Sequence, residues 1–349
     1  MDFTSAIEVK PRCVHCFVRR GQSWVYSGAP SQGIEDYNNA LSLDDTSVAA
    51  LYNRGIVYQY QGNSIEAVAD FDRLLKVQPN HVAALHHRGQ VRHGLSEYEA
   101  AVGEYNAALQ INPSNVYILD DLCRALTDLG RFEEAVNIAN TVLESYPEDS
   151  VAHLFRGVAL QSLGKLKEAL PDLNAAIEAQ SKPDMVRFAS FAYHRRAGLW
   201  AQMNEYDKAV ADYTVLLKTK SDGPTWAGRA HCYAKLGKMN ESVADLREAI
   251  KVDPGFAPAW NGLAWTLATS PDNSFRNGAE AVGMAQKACE LTTFKDALHI
   301  DTLATDGCVA GYSLPDTIAN GYEMTVEFSN WRLSKEIVLG LLFAFGAFL

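Results

Sequence analysis

Apolar and polar residues follow a helical spacing along this chain, and the spacing is itself repeated. In the segment 48–81, Leu51, Gly55 and Tyr58 fall at i, i+4 and i+7; after a break at Gln61-Gly62-Asn63, Ala67, Phe71 and Leu74 repeat that spacing. Each run predicts one amphipathic helix, and the break predicts a turn between them. Pro79 closes the second helix, as Pro113, Pro147 and Pro254 do in later segments, because proline cannot continue a helix and restricts the residue before it. The unit is therefore a helix pair.

The pair recurs every 34 residues in one register from Val14 to Glu148 without an insertion. Gly21, Gly55, Gly89, Cys123 and Gly157 share one place in five successive units, where two helices that approach closely need short side chains. Gly33, Ala67, Ala101, Ala135 and Ala169 share a second, and Tyr37, Phe71, Tyr105, Ala139 and Leu173 a third. A period of this length predicts stacked units that touch only their neighbours, not a globular enzyme. Leu51, Gly55, Tyr58, Ala67, Phe71 and Pro79 resemble the tetratricopeptide repeat at six of its set places. Units beginning near Val14, Val48, Val82, Val116, Ser150, Ser190, Gly223 and Ala257 fit with decreasing fidelity, and a worn ninth begins near Ala297. The resemblance implies an all-α fold, a right-handed solenoid of antiparallel helix pairs. The expected organisation is a partial repeat at 1–13 (second helix only), an array of eight units at 14–296, a degenerate ninth unit at 297–330 and an apolar tail at 331–349.

The same ruler pairs charges. Arg20, Arg54, Arg88, Arg156, Arg196 and Arg229 occupy one position, and Asp36, Asp70, Glu104, Asp172, Asp212 and Asp245 occupy another sixteen residues later. In the fourth unit these positions hold Leu122 and Ile138, and in the eighth Leu263 and Met284, so base and acid are kept or replaced together. An ion pair between the two helices of one unit explains this, since a packed apolar pair can stand in for a partly buried one at little cost. The arginines are then not a nucleic-acid stripe, and the net charge of −11 argues against nucleic acid as well.

First-helix positions left over from packing are Arg19, Gln22, Tyr52, Asn53, Tyr60, His86, Gln90, His93, Asp120, Arg124, Phe155, His194, Arg195 and His231. The resemblance implies that this inner face binds extended peptides or partner surfaces; an ordinary solvated helix face is the other reading of each residue. The clamp with which some relatives hold the acidic tails of heat-shock chaperones is not matched. Its positions here are Val18, Gln22, Asn53, Ala83 and His87, of which only Asn53 fits. Asp120 and Arg124, at i and i+4, are expected to form a surface pair.

No catalytic signature, cofactor motif or complete metal site is evident, so the expectation is a protein without enzymatic activity, cofactor or metal. Cys13-Val-His-Cys16 lacks the two further ligands of structural zinc, and His86 and His93 are too far apart, at ~10 Å along one helix, to share a metal unaided. Six scattered cysteines and a charged start, Met1 to Arg12, predict a reduced, cytoplasmic chain without a secretory leader. Two insertions, around Ser181-Lys182-Pro183-Asp184 and in Ser270 to Asn277, predict loops that are either contact elements or tolerated length variation. Asp2, Phe3, Ala6, Ile7 and Pro11 match the register of a second helix, as if the chain opened inside an earlier unit. Ile337–Leu349 has no polar side chain, yet as a helix it reaches only ~20 Å against the ~30 Å of a bilayer core. It is read as a closing helix, a membrane anchor, or sequence out of its original frame. The functional expectation is an interaction scaffold binding proteins or peptides, of undetermined oligomeric state. A regulatory or targeting part of a larger enzyme and an adaptor tethered to a membrane by the tail stay open.

Overall fold

The computed structural model describes residues 3–179, 186–270 and 276–292. Among them every regular element is a helix, and the chain divides into two compact units, 1–199 and 200–349. In the first, α1 (Phe3–Val9) packs on α2 (Val14–Tyr26), and five pairs follow. They are α2 with α3 (Pro30–Leu43), α4 (Val48–Tyr60) with α5 (Ser64–Val77), α6 (Val82–Gly94) with α7 (Tyr98–Ile111), α8 (Val116–Asp128) with α9 (Phe132–Ser145), and α10 (Ser150–Ser162) with α11 (Leu166–Glu178). The division falls within α12 (Val186–Gln202). In the second unit α13 (Tyr206–Leu217) packs on α14 (Gly223–Lys235), which pairs with α15 (Met239–Val252), and α16 (Ala257–Thr269) pairs with α17 (Gly278–Leu291). Both insertions, the ninth repeat and the apolar tail lie outside the described residues, apart from the ends of the second insertion at Ser270, Arg276 and Asn277.

Local chemistry sets the helix ends. Gln78, Asn112, Tyr146 and Asp253 each precede a proline and leave the helical region, with φ near −130° and ψ between 76° and 85°. Asn115, Asp149 and Asp222 cap their helices by accepting backbone N–H groups. The turn inside a pair needs one left-handed residue. Gly28, Gly62, Gly130, Gly164 and Gly237 supply it with φ of 74° to 82°, while Ser96 and Asn204 adopt φ 62° at the equivalent places.

Close packing within each pair explains the small-residue column. A Cβ on Gly21, Gly55 or Gly89 would come within 2.7, 2.9 and 2.5 Å of the ring of Tyr37, Phe71 and Tyr105, and these three rings are at most 1% exposed. Burying each contributes roughly 1.5–3 kcal/mol. In the fourth pair both members change. Cys123 replaces the glycine, its partner is only Ala139, and the thiol donates to the Ala135 carbonyl at 3.3 Å.

The expected ion pairs form as two-pronged hydrogen bonds. Arg20 reaches Asp36 at 2.8 and 2.7 Å, Arg54 reaches Asp70 at 2.7 and 2.6 Å, Arg156 reaches Asp172 at 2.8 and 2.7 Å, and Arg229 reaches Asp245 at 2.7 and 2.8 Å. Arg88 instead spreads over Glu104 and Asp72. The remaining guanidinium nitrogen has a role that the sixteen-residue spacing did not reveal. It donates to the second helix of the preceding pair, from Arg54 to Asn38, Arg88 to Asp72, Arg156 to Asn140 and Arg229 to Thr214. Arg54, Arg88, Arg156 and Arg229 thus each tie three helices. Where the pair is absent, Leu263 and Met284 pack in one apolar cluster, and Leu122 and Ile138 border an open cavity of about 220 Å³ with Val102 and Asn106.

The expectation of six reduced cysteines fails at the first two. Cys13 and Cys16 form a disulfide at the start of α2, where three-residue spacing on a helical turn brings the side chains together. Cys123, Cys232 and Cys289 are buried and lie outside any disulfide. No described helix is long and apolar enough to cross a membrane.

Candidate partner-binding face

In the first compact unit successive first helices pack on one another, α2 on α4, α4 on α6, α6 on α8 and α8 on α10. The second helices show no comparable contact in series among the described residues. Elements that touch along one side and separate along the other define the inner side of a curved stack, so α2, α4, α6, α8 and α10 line that inner side.

Their side chains form a hydrogen-bonded ladder from one pair to the next. Gln22 donates to Asn53 at 3.2 Å, and Gln59 donates to Gln90 at 3.1 Å while its Oε1 accepts from His87 Nδ1 at 3.0 Å. Gln90 and His86 converge on Asp121 at 2.7 and 2.8 Å, and His93 meets Asp128 at 2.8 Å and Arg124 at 3.4 Å. Tyr52 is wedged among rings, 5.2 Å from His81 and 5.8 Å from His87. Burial, followed by the neighbouring His86, pushes His87 down to about 4. Burial alone would raise the Asp121 carboxyl, but hydrogen bonds from His86 and Gln90 outweigh it and hold the group below its usual value. Among the described residues no cluster of three or more His, Cys, Asp or Glu could hold a metal ion.

Three family models described as tetratricopeptide repeat match residues 52–116, 94–159 and 223–256. The chain is a tetratricopeptide-repeat protein. A tetratricopeptide-repeat protein from Parabacteroides merdae is similar in structure at TM-score 0.58 and 19% identity, over 69% of this chain and 93% of that one. A chain of the APC/C hetero-tetramer Cut9–Hcn1 gives TM-score 0.58 at 12% identity, over 87% of this chain and 58% of that one. At such identities the likeness shows the fold alone. No curated protein matches the chain.

In this repeat array the leftover positions divide into several kinds. Gln22, Asn53, His86, Gln90, His93 and Arg124 are rungs of the ladder, and Arg19 bonds Gln22 at 3.4 Å. Tyr60 is 85% exposed at the end of α4, His194 and Arg195 are half-buried on α12, and His231 is exposed on α14 in the second compact unit. Burial lowers the pKa of the Arg195 guanidinium, whose Nε has no partner. Two expectations are corrected. Phe155 is only 5% exposed and supports the face from beneath. Asp120 and Arg124 do not pair, because Arg124 turns to Asp121 at 3.6 Å and to His93, leaving Asp120 Oδ1 buried without a partner. The reading missed Gln59, His87, Asp121 and Asp128. Their signal was positional, since rungs recur 31 or 35 residues apart instead of at the period of 34.

Proposed function

We propose that this tetratricopeptide-repeat chain is a non-enzymatic interaction scaffold that holds an extended segment of a partner protein along its first helices. The observation that carries this reading is the series packing of α2, α4, α6, α8 and α10. It sets amide, imidazole, carboxylate and aromatic groups in one row on a surface already ordered by its own hydrogen bonds, so little side-chain freedom is lost when a partner docks. Exposed aromatic rings at Tyr26 and Tyr60, 91% and 85% accessible, lie in equivalent places on that row and offer broad contact area.

A photo-crosslinking residue placed singly at Tyr26 or Tyr60, and at Lys76 or Glu133 on second helices, tests the face in native lysate. The reading expects the full chain to form discrete adducts from the first-helix sites and not from the second-helix sites. Adducts from Lys76 and Glu133 alone would assign binding to the other side.

A further inference from the structure

The ladder along the first helices is continuous as far as α8 and breaks at the step to α10. Asp121 is the hub of the last continuous step, 35 residues after His86 and 31 after Gln90, and it bonds both. The same offsets from Asp120 and Arg124 both lead to residue 155, which is a phenylalanine. A phenyl ring can neither donate to a carboxylate nor accept from a guanidinium. Asp120 Oδ1 and Arg124 Nε are accordingly both buried without a hydrogen-bond partner.

The two groups are not equally short of compensation. Arg124 keeps Asp121 and His93, whereas the charges acting on Asp120 are those of Asp149 and Asp121, both acidic. Burial first, and these two carboxylates next, push the Asp120 carboxyl up to about 8. Aromatic groups border the break. The Phe155 ring lies 6.5 Å from that of Phe191, which is 42% exposed, and Tyr117, one turn before Asp120 on α8, is 74% exposed.

We propose that this step is a recognition site for a lysine or arginine side chain of the partner segment, with an apolar neighbour of that residue covering Phe191. The inference rests on the scaffold reading and deepens it by naming the chemistry of the bound segment. A base at Asp120 supplies the missing charge-assisted hydrogen bond. An acidic segment would instead add to the repulsion among Asp120, Asp121 and Asp149. The net charge of −11 favours basic segments on approach.

Random twelve-residue peptides displayed on phage, selected on the full chain and resynthesised with a fluorophore, provide the probe. Selected peptides are expected to carry Lys or Arg beside an aliphatic or aromatic residue. Replacing that base by glutamine should weaken binding by roughly 10- to 100-fold, Asp120→Asn should do the same, and the two changes together should cost little more than either. Phe191→Ala, at an exposed position, should weaken the same peptides severalfold and stands in if Asp120→Asn does not fold. Acidic peptides, no selected peptide, or equal binding by the wild type and both variants would overturn the proposal. The crosslinking sites Tyr26 and Tyr60 lie two or more repeats away, so a scaffold that captures partners there but ignores Asp120 loses only this site.

Discussion

Replacing Arg54 and Asp70 singly and together tests the claim that each charge pair is an exchangeable unit of the stack. Their side chains are 15% and 4% exposed and joined at 2.7 and 2.6 Å, so Arg54→Leu strands a nearly buried carboxylate and Asp70→Ile strands a guanidinium. Breaking a buried pair from one side costs about 3–5 kcal/mol, and the partial exposure of Arg54 brings the expectation to roughly 2–4 kcal/mol for either single change. The double variant should stay within about 1.5 kcal/mol of wild type, because an apolar pair of similar volume removes both desolvation penalties. The chain already holds Leu122 with Ile138 and Leu263 with Met284 at these positions. Arg54 also donates to Asn38, which is exposed, and water can replace that bond. Unfolding in a repeat array need not be all-or-none, so urea melts should be joined by hydrogen exchange at α4 and α5 amides. A double variant as unstable as the sum of the single ones would refute the exchange argument.

Four further outcomes follow from local geometry. Gly89→Ala places a methyl group against the buried Tyr105 ring and should cost about 1–3 kcal/mol in urea denaturation, with Gly94→Ala, where nothing lies within reach, as the mild comparison. Ser96→Gly should stabilise by about 0.5–1 kcal/mol, since Ser96 holds φ 62° where other repeats use glycine; a loss of stability would refute this. Asp120 has a folded pKa raised from 3.8 to about 8, so the folded state binds more protons and its stability falls as pH rises through that window. Asp120→Asn should therefore become more stable than wild type by roughly 1–3 kcal/mol near pH 8, with the difference fading toward pH 4, by thermal melts. His87 has its pKa lowered from 6.5 to about 4, so the unfolded state takes up the proton first and stability falls as pH drops through that interval; His87→Gln should flatten this limb of the pH profile.

Period and composition determined the helix pairs, their order and the pairing of Arg20 with Asp36, Arg54 with Asp70, Arg88 with Glu104, Arg156 with Asp172 and Arg229 with Asp245. These features were legible because they repeat: a contact made in every unit leaves the same residue types at a constant interval. The column of glycines was legible as a demand for small size, but not its exception, where Cys123 is admitted because Ala139 replaces a ring. The bonds from Arg54, Arg88, Arg156 and Arg229 to the preceding pair, the ladder of Gln59, His87, Asp121 and Asp128, and the Cys13–Cys16 disulfide came from the tertiary structure.

The break at Phe155 separates the two kinds of information most clearly. Local spacing read Asp120 and Arg124 as partners because i and i+4 share a helix face. In the fold Arg124 turns across to the preceding pair, and Asp120 points to a step where the next pair offers no donor. Sequence by itself determined the repeated framework, since hydrophobic spacing, turns and prolines act within one unit. Only the tertiary structure decided which polar groups find partners, because that depends on the offset with which one helix pair stacks upon the next.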